Sequence, residues 1–456
     1  MQGPMMNVTA LGMDEERMGY ARVNTAVSLL FCGYVIAWYL QLGERIPSLG
    51  SIRFEFVYAA LLALIALSHF RSLDWKCPLY VYVLLYLLVI AIQVPTSLDP
   101  ETSWTIFVDR IVKFAFFGLF IVVFVRSPRH LRYFVCALFI AFMKMGEEGL
   151  VGRITGGMMW QNQGVMRLHG VTSLYGHPNS YAGMAVGTIP FVLYFWSVSG
   201  RLVKALLGLQ ALLALNIIVF SGSRTGYIGL IGMLVFFFIV TKTKKKFLVY
   251  TTAFAVAAVV FVPGQYFERF TSIYTMEEKE GASSTTRMEI LKDAVDIFAS
   301  YPFGVGVQAF PAVRKTTFGR EQDTHNLYLE VATNLGIQGL FVFGLLVFKL
   351  LQTLRSSEKE IVRQIGLLRE KMTAGGSPPD APVPGIEAHI KDLTLVAACA
   401  RGLFLFVIVR LVLGLFGMDL YEIYWWFAIG LTIAIFNIGR AAGKKTMTLC
   451  GQTHAG

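Results

Sequence analysis

The chain has 456 residues, of which 55% are hydrophobic and only 15% charged, and its formal net charge is +11. An ordinary soluble protein carries about 25% charged residues, so the composition excludes a soluble multidomain chain and points to a helical bundle in a membrane. The positive charge reads as topology under the positive-inside rule rather than as a nucleic-acid surface; an anionic lipid-linked substrate is the further reading.

The first 22 residues are polar and open on no short apolar core with a cleavage site, so no removable signal peptide is expected. Apolar runs then predict spans near 23–42, 54–70, 78–94, 106–125, 131–145, 179–197, 202–220, 225–241, 247–263, 335–352, 393–415 and 421–438. A helix needs roughly 20 apolar residues to cross a bilayer, and unpaired backbone in lipid forbids anything but helix or closed barrel. The fifth and seventh runs are the weakest, because Lys144 and Asn216 interrupt them.

With both termini inside, every basic cluster falls on one side. These are Arg71 and Lys76; Arg126, Arg129 and Arg132; Arg201 and Lys204; Lys242 and Lys244 to Lys246; and the tail Arg440, Lys444 and Lys445. The cytoplasmic loop 353–392 adds six more cations; within it 354–372 reads as a charged helix and 373–386 as a Pro/Gly linker. The chain thus divides into spans one to nine (1–263), an outer segment 264–334 with short helices, and spans ten to twelve (335–456). Cys32, Cys77, Cys136, Cys399 and Cys450 have no CxxC partner and fall in helices or inside, so no disulfide is expected.

Four outward segments carry the polar residues that could do chemistry. SGSRTG (221–226) places Arg224 at a tight turn between two helices, where an interfacial arginine reaching for headgroups is the plainer reading. In 284–310, Thr286 and Glu289 fit a capping box, so a helix is expected to start at Arg287 and stop before Pro302. Arg287 would then sit in the first turn, where backbone N–H groups favour an anion. DTHNLYLEVATNLGIQG (323–339) carries His325, a group that titrates near neutrality and can take a hydroxyl proton, with Asn326, Tyr328 and Glu330 beside it. GHPNS (176–180) offers His177 as a second proton carrier and Pro178 with Asn179 as a cap and turn. Arg110 and Arg410 stand near outer ends of spans, against the topological bias, and a bound pyrophosphate would account for them. Arg401 lies deeper and calls for a partner.

Taken in order, SRTG around Arg224, TTRMEILKDAVDIFASYPFGVG around Arg287 and HNLYLEVATNLGIQG around His325 resemble the signature region of bacterial O-antigen ligases and the related O-antigen polymerases. The resemblance is specific across about 220–340, and the GHPNS turn resembles a weaker family element. It implies an all-α polytopic membrane bundle of the glycosyltransferase C type, in the bacterial inner membrane, working on its periplasmic face. It also implies a donor glycan on undecaprenyl diphosphate, a lipid A core acceptor, no metal and no cofactor. By match, Arg224 and Arg287 become ligands of the donor diphosphate and His325 the candidate general base; direct attack implies inversion. Asn326, Tyr328, His177, Asn179, Arg110 and Arg410 are expected to line the substrate site. The charged stretch with Arg314, Lys315, Arg320, Glu321 and Asp323 is expected to shape the acceptor side. A polymerase joining lipid-linked repeats remains open, and so, more distantly, do a lipid-linked glycan transporter and a structural scaffold.

Overall fold

The computed structural model describes residues 23–162, 164–241, 243–275, 283–374 and 384–451. The polar N-terminal 22 residues, Lys242 and most of the Pro/Gly linker lie outside the described residues.

Helices dominate. Leaving aside helices of five residues or fewer, they are in chain order α1 (Thr25–Leu40), α2 (Phe54–His69), α3 (Leu79–Gln93), α4 (Pro100–Ile106), a π-helical turn at Phe107–Val112, α5 (Lys113–Phe124) and α6 (Pro128–Thr155). A hairpin of β1 (Met159–Asn162) and β2 (Val165–Leu168) follows. Then come α7 (Pro178–Trp196), α8 (Arg201–Phe220), α9 (Arg224–Val240), α10 (Lys244–Phe261), α11 (Gly264–Thr275), α12 (Ser283–Ser300) and α13 (Phe310–Phe318). The chain closes with α14 (Leu327–Ala374), α15 (Pro384–Leu413) and α16 (Ile423–Leu449). Each apolar run read from the sequence falls on a helix. Among the described residues, five helices are long and apolar enough to cross a membrane, and Thr25–Leu40, Leu79–Gln93 and Arg224–Val240 are shorter apolar helices. This is a helical membrane protein.

Helix ends follow local chemistry. Asn24 caps α1 through Ala26 N at 2.9 Å, Ser127 caps α6 through His130 N at 3.2 Å, and Ser223 caps α9 through Gly226 N at 3.1 Å. Lys144 does not break α6, because it lies on an exposed face and pairs with Glu147 at 2.6 Å. Along the core, α5 and α16 approach so closely that a Cβ on Gly430 would meet the Gly118 carbonyl oxygen at 2.5 Å.

Two expectations change. Helix α12 begins at Ser283, not Arg287, so Arg287 lies just beyond the first turn and the helix-end field on it is weaker; the Thr286 side chain is outside the description. The charged stretch 354–372 is no separate helix but the continuation of α14. That continuation supplies the partner of Arg401, whose guanidinium binds Glu358 at 2.6 and 2.8 Å.

Helix α14 is broken once, at Gly336, with φ 70° and ψ −169°. This backbone region is essentially open to glycine alone. The break exposes the Thr333 and Asn334 carbonyls, and the loop after α12 satisfies them: Val305 N donates to Thr333 O at 2.8 Å and Gly306 N to Asn334 O at 3.0 Å. Ile337 N in turn donates to Pro302 O at 2.9 Å, and Gln93 and Gln338 both donate to Phe303 O, at 2.6 and 2.7 Å. The YPFGVG loop is thus locked to the kink inside α14, the helix that His325 precedes. Gly336→Ala places a Cβ into the Phe303 carbonyl and forces a side chain into a glycine-only conformation. It is expected to destabilise the fold by about 3 kcal/mol, strain and overlap together. A lowered thermal unfolding midpoint in detergent checks this.

Candidate active site

The hairpin and the starts of α7, α9, α14 and α16 meet at one end of the bundle. There a cavity of about 400 Å³ is lined by His177, Asn179, Thr225, His325, Arg410 and Asp419, among others. Residues far apart in the chain, His177 and His325, thus share one space.

His325 sits on a rigid loop. Asp323 Oδ1 accepts from Thr324 N at 3.1 Å, Thr324 Oγ1 donates to Asn326 O at 3.1 Å, and Leu327 N donates to Gly414 O at 2.7 Å. His325 itself has φ +48°, a left-handed conformation uncommon for a non-glycine residue and characteristic of functional sites. Its backbone is fixed by neighbours while its side chain stays open to the cavity. Crowding by protein lowers its pKa below the usual value, and the positive charges of Arg287 and Arg314 add to this while Asp323 opposes it. Asp323 is itself pushed up by burial and accepts from Gln308 Nε2 at 2.5 Å. The balance of these effects favours the neutral imidazole.

His177 is the N-cap of α7: its Nδ1 accepts from Asn179 N at 3.1 Å. In its neutral form the proton sits on Nε2, the nitrogen that can meet a hydroxyl or a phosphate. Burial, then Arg167, then His325 lower its pKa.

Asn179 and Asn326 are engaged by the protein. Asn179 Oδ1 accepts from Arg167 Nη2 at 2.8 Å. Asn326 caps α14, its Oδ1 accepting from Tyr328 N at 3.0 Å and Leu329 N at 3.1 Å while its Nδ2 donates to Leu415 O at 3.1 Å. Glu330, one turn on from Asn326, points inward and accepts from Leu420 N at 3.1 Å. Burial raises the Glu330 pKa well above the usual carboxylate value. Tyr328 Oη donates to Leu411 O at 2.9 Å.

Arg410 and Arg110 are bound to carboxylates. Arg410 is buried, donating to Asp419 at 3.1 Å and Gly183 O at 2.9 Å, with its guanidinium 3.3 Å above the Tyr424 ring. Arg110 pairs with Glu422. Both therefore hold the start of α16 against the cavity. Arg224 opens α9 beside its Ser223 cap and lies close enough to Arg167 to lower that residue's pKa. Arg287 acts on His325 in the same way.

The charges of the 314–323 stretch are mostly paired. Arg314 is fully buried against Asp293 at 2.8 Å, Arg320 bridges Glu289 and Asp293, and Lys315 pairs with Glu321 at 2.5 Å. The Arg314 and Arg320 bridges staple α12 to α13 and the loop that follows it.

Sequence reasoning missed Arg167. This side chain is buried on β2, donates to Ser221 O at 2.8 Å and to Asn179, and stands near Arg224 and Arg269. Burial first, then Arg269, lowers its pKa to about 10. The residue was findable: Met159–Asn162 and Val165–Leu168 flank a glycine turn, a hairpin signal. Among the described residues, no three of His, Cys, Asp and Glu stand close enough to hold a metal ion.

A membrane bundle with two histidines and several arginines gathered at one end is the class that fold and site define. Residues 209–344 match the family model described as O-antigen ligase, so over this stretch the chain is similar to that family. No curated protein matches the chain. The matched stretch contains Arg224, Arg287 and His325, but not His177, Arg167 or Arg410. The family points to a multi-pass membrane protein and a glycosyltransferase-like enzyme acting on lipid-linked glycans, of ligase or polymerase type.

Proposed function

We propose that the protein is an O-antigen ligase-type glycosyltransferase that moves a glycan from undecaprenyl diphosphate to lipid A core on the periplasmic face of the inner membrane. In this reading the twelve segments span the bilayer with both termini cytoplasmic, 264–334 is periplasmic and 353–392 cytoplasmic. The observation that carries it is the cavity shared by His177 and His325, of which His325 lies in the matched stretch together with Arg224 and Arg287.

The acceptor hydroxyl attacks the anomeric carbon from the side opposite the diphosphate. Its proton passes to an imidazole nitrogen of His325, the new C–O bond forms, and the bond to the diphosphate oxygen breaks with its electron pair leaving on that oxygen. Configuration inverts. Arg224 and Arg287 balance the charge growing on the leaving group, the part a divalent cation plays in other transferases. His177 Nε2–H orients the substrate, and Arg410 and Arg110 act at one remove by holding Asp419 and Glu422. The decisive experiment reconstitutes the purified protein with lipid-linked glycan and, in competition, lipid A core and a second lipid-linked repeat. The expected products are a glycan–core conjugate and free undecaprenyl diphosphate. Elongated lipid-linked chains would assign a polymerase instead, and unchanged substrates would exclude transfer.

The lowered His325 pKa predicts a pH profile. A base works deprotonated, so kcat/KM should rise with pH through a value below about 6.5 and be level at neutrality. The same shift bears on stability: the unfolded histidine binds its proton more readily than the folded one, so stability should fall as pH drops from the unfolded value towards the folded one. An acidic limb centred above 7 would rule out His325 as the titrating base.

A further inference from the structure

The opposite end of the bundle carries a second polar cavity, of about 110 Å³, between the ends of α2, α5 and α16. Ser72, Asp74, Arg126, Asn437, Arg440 and Lys444 supply its polar lining. Three cations thus face one carboxylate, and that carboxylate is engaged by Arg440 at 2.7 Å.

Arg126 is the unusual member. Only 8% of it is exposed, yet its hydrogen bonds go to neutral acceptors: Val123 O at 2.8 Å, Ser72 Oγ at 2.7 Å, Ser72 O at 3.2 Å and His69 O at 3.3 Å. Among the described residues no carboxylate bridges it. A buried charge without a counter-charge is strongly unfavourable, so an anion in this cavity would be held firmly. Lys444 lies exposed at the rim.

Position and surroundings select the anion. Arg440 follows Glu422 by five helical turns of α16, roughly 27 Å at 1.5 Å per residue. Glu422 contacts Arg110 and lines the histidine cavity. The basic cavity is therefore about one hydrocarbon thickness, ~30 Å, from the candidate active site. Beside it Phe70 and Trp75, 45% and 51% exposed, pack at 5.1 Å, and Trp75 packs on Tyr80 at 4.9 Å. Exposed aromatics of this kind sit at headgroup level. Leu73, Val122 and Val125 complete an apolar wall.

We propose that this cavity binds the phosphate of an anionic phospholipid, with Arg126 and Lys444 as its cationic ligands and the aromatic rim against the glycerol and acyl chains. The site is separate from glycan transfer and does not depend on that reading. Burial pulls the Arg126 pKa down to about 10, which still leaves it charged at neutrality.

The test uses the full chain in nanodiscs of phosphatidylethanolamine mixed with phosphatidylglycerol, followed by native mass spectrometry of the lipids retained on extraction. Phosphatidylglycerol should be enriched on the protein over its share of the bilayer. Lys444→Gln, an exposed change that leaves the core intact, should lower that enrichment about five-fold, the effect of one cation near a charged membrane surface. Asp74→Asn removes the competing carboxylate and should raise it. Equal retention of the two lipids, or no response to Lys444→Gln, overturns the proposal. So does full displacement of phosphatidylglycerol by millimolar inorganic phosphate, which would mark a site for a soluble anion.

Discussion

Replacement of His325 by alanine is expected to lower glycan transfer about 10²–10⁴-fold, the usual contribution of a positioned general base. The protein should still reach the membrane at its normal level. The loop is held by Asp323, Thr324 and the Leu327–Gly414 backbone bond, while the imidazole faces the cavity. The left-handed backbone at φ +48° calls for a second variant. Asparagine tolerates this conformation and has no basic nitrogen. His325→Asn should therefore fold like the native protein and lose transfer as fully as His325→Ala. Undiminished transfer by both variants, measured as conjugate formed per unit of membrane protein, would remove His325 from the chemistry.

Loss of Arg224 should have the next largest effect, a fall of about 10²–10³-fold in kcat/KM for the lipid-linked donor, comparable with removal of one group that stabilises transition-state charge. Arg287→Ala should fall in the same range. The two sit differently, and this matters for the controls. Arg224 opens α9 at a capped turn beside Arg167 and Arg269, so a phosphate there would meet guanidinium groups and helix N–H groups together. Arg287 lies past the first turn of α12 and near His325, so it can act on the base as well as on the donor. Arg224→Lys keeps the charge and loses the planar fork, and should restore only part of the activity. Full activity of the lysine variant would mean that charge alone suffices. A shift in the acidic limb of the pH profile, upward for Arg287→Ala, would separate its effect on His325 from its effect on the donor.

Much of the architecture was legible from local pattern. An apolar run near 20 residues has few options in a bilayer, so the helices fall where the runs are. The caps at Asn24, Ser127 and Ser223 are the small polar residues that the free N–H groups of a helix start require. The order Arg224, Arg287, His325 carried the family resemblance because each residue lies in its own short motif.

Other features depend on which segments meet. Gly336 read as one glycine in an apolar run; only the docking of 302–307 makes it a kink. Asn326 looked like a substrate ligand, but at a helix start its amide is worth more as a cap. Arg401 and Arg410 announced themselves as charges in spans, yet Glu358 and Asp419 could be named only once α14, α15 and the start of α16 were packed. Arg167 escaped notice because a short hairpin gives a weak signal, and its importance comes from neighbours on α7, α9 and α11 and at the turn after α8. Periodicity, capping and the siting of lysine and arginine act over a few residues and are written into the chain directly. The sharing of one cavity by His177 and His325, and the gathering of Arg126, Arg440 and Lys444 at the far end, come from long-range packing, where the energy of a contact belongs to two segments and is recorded in neither alone.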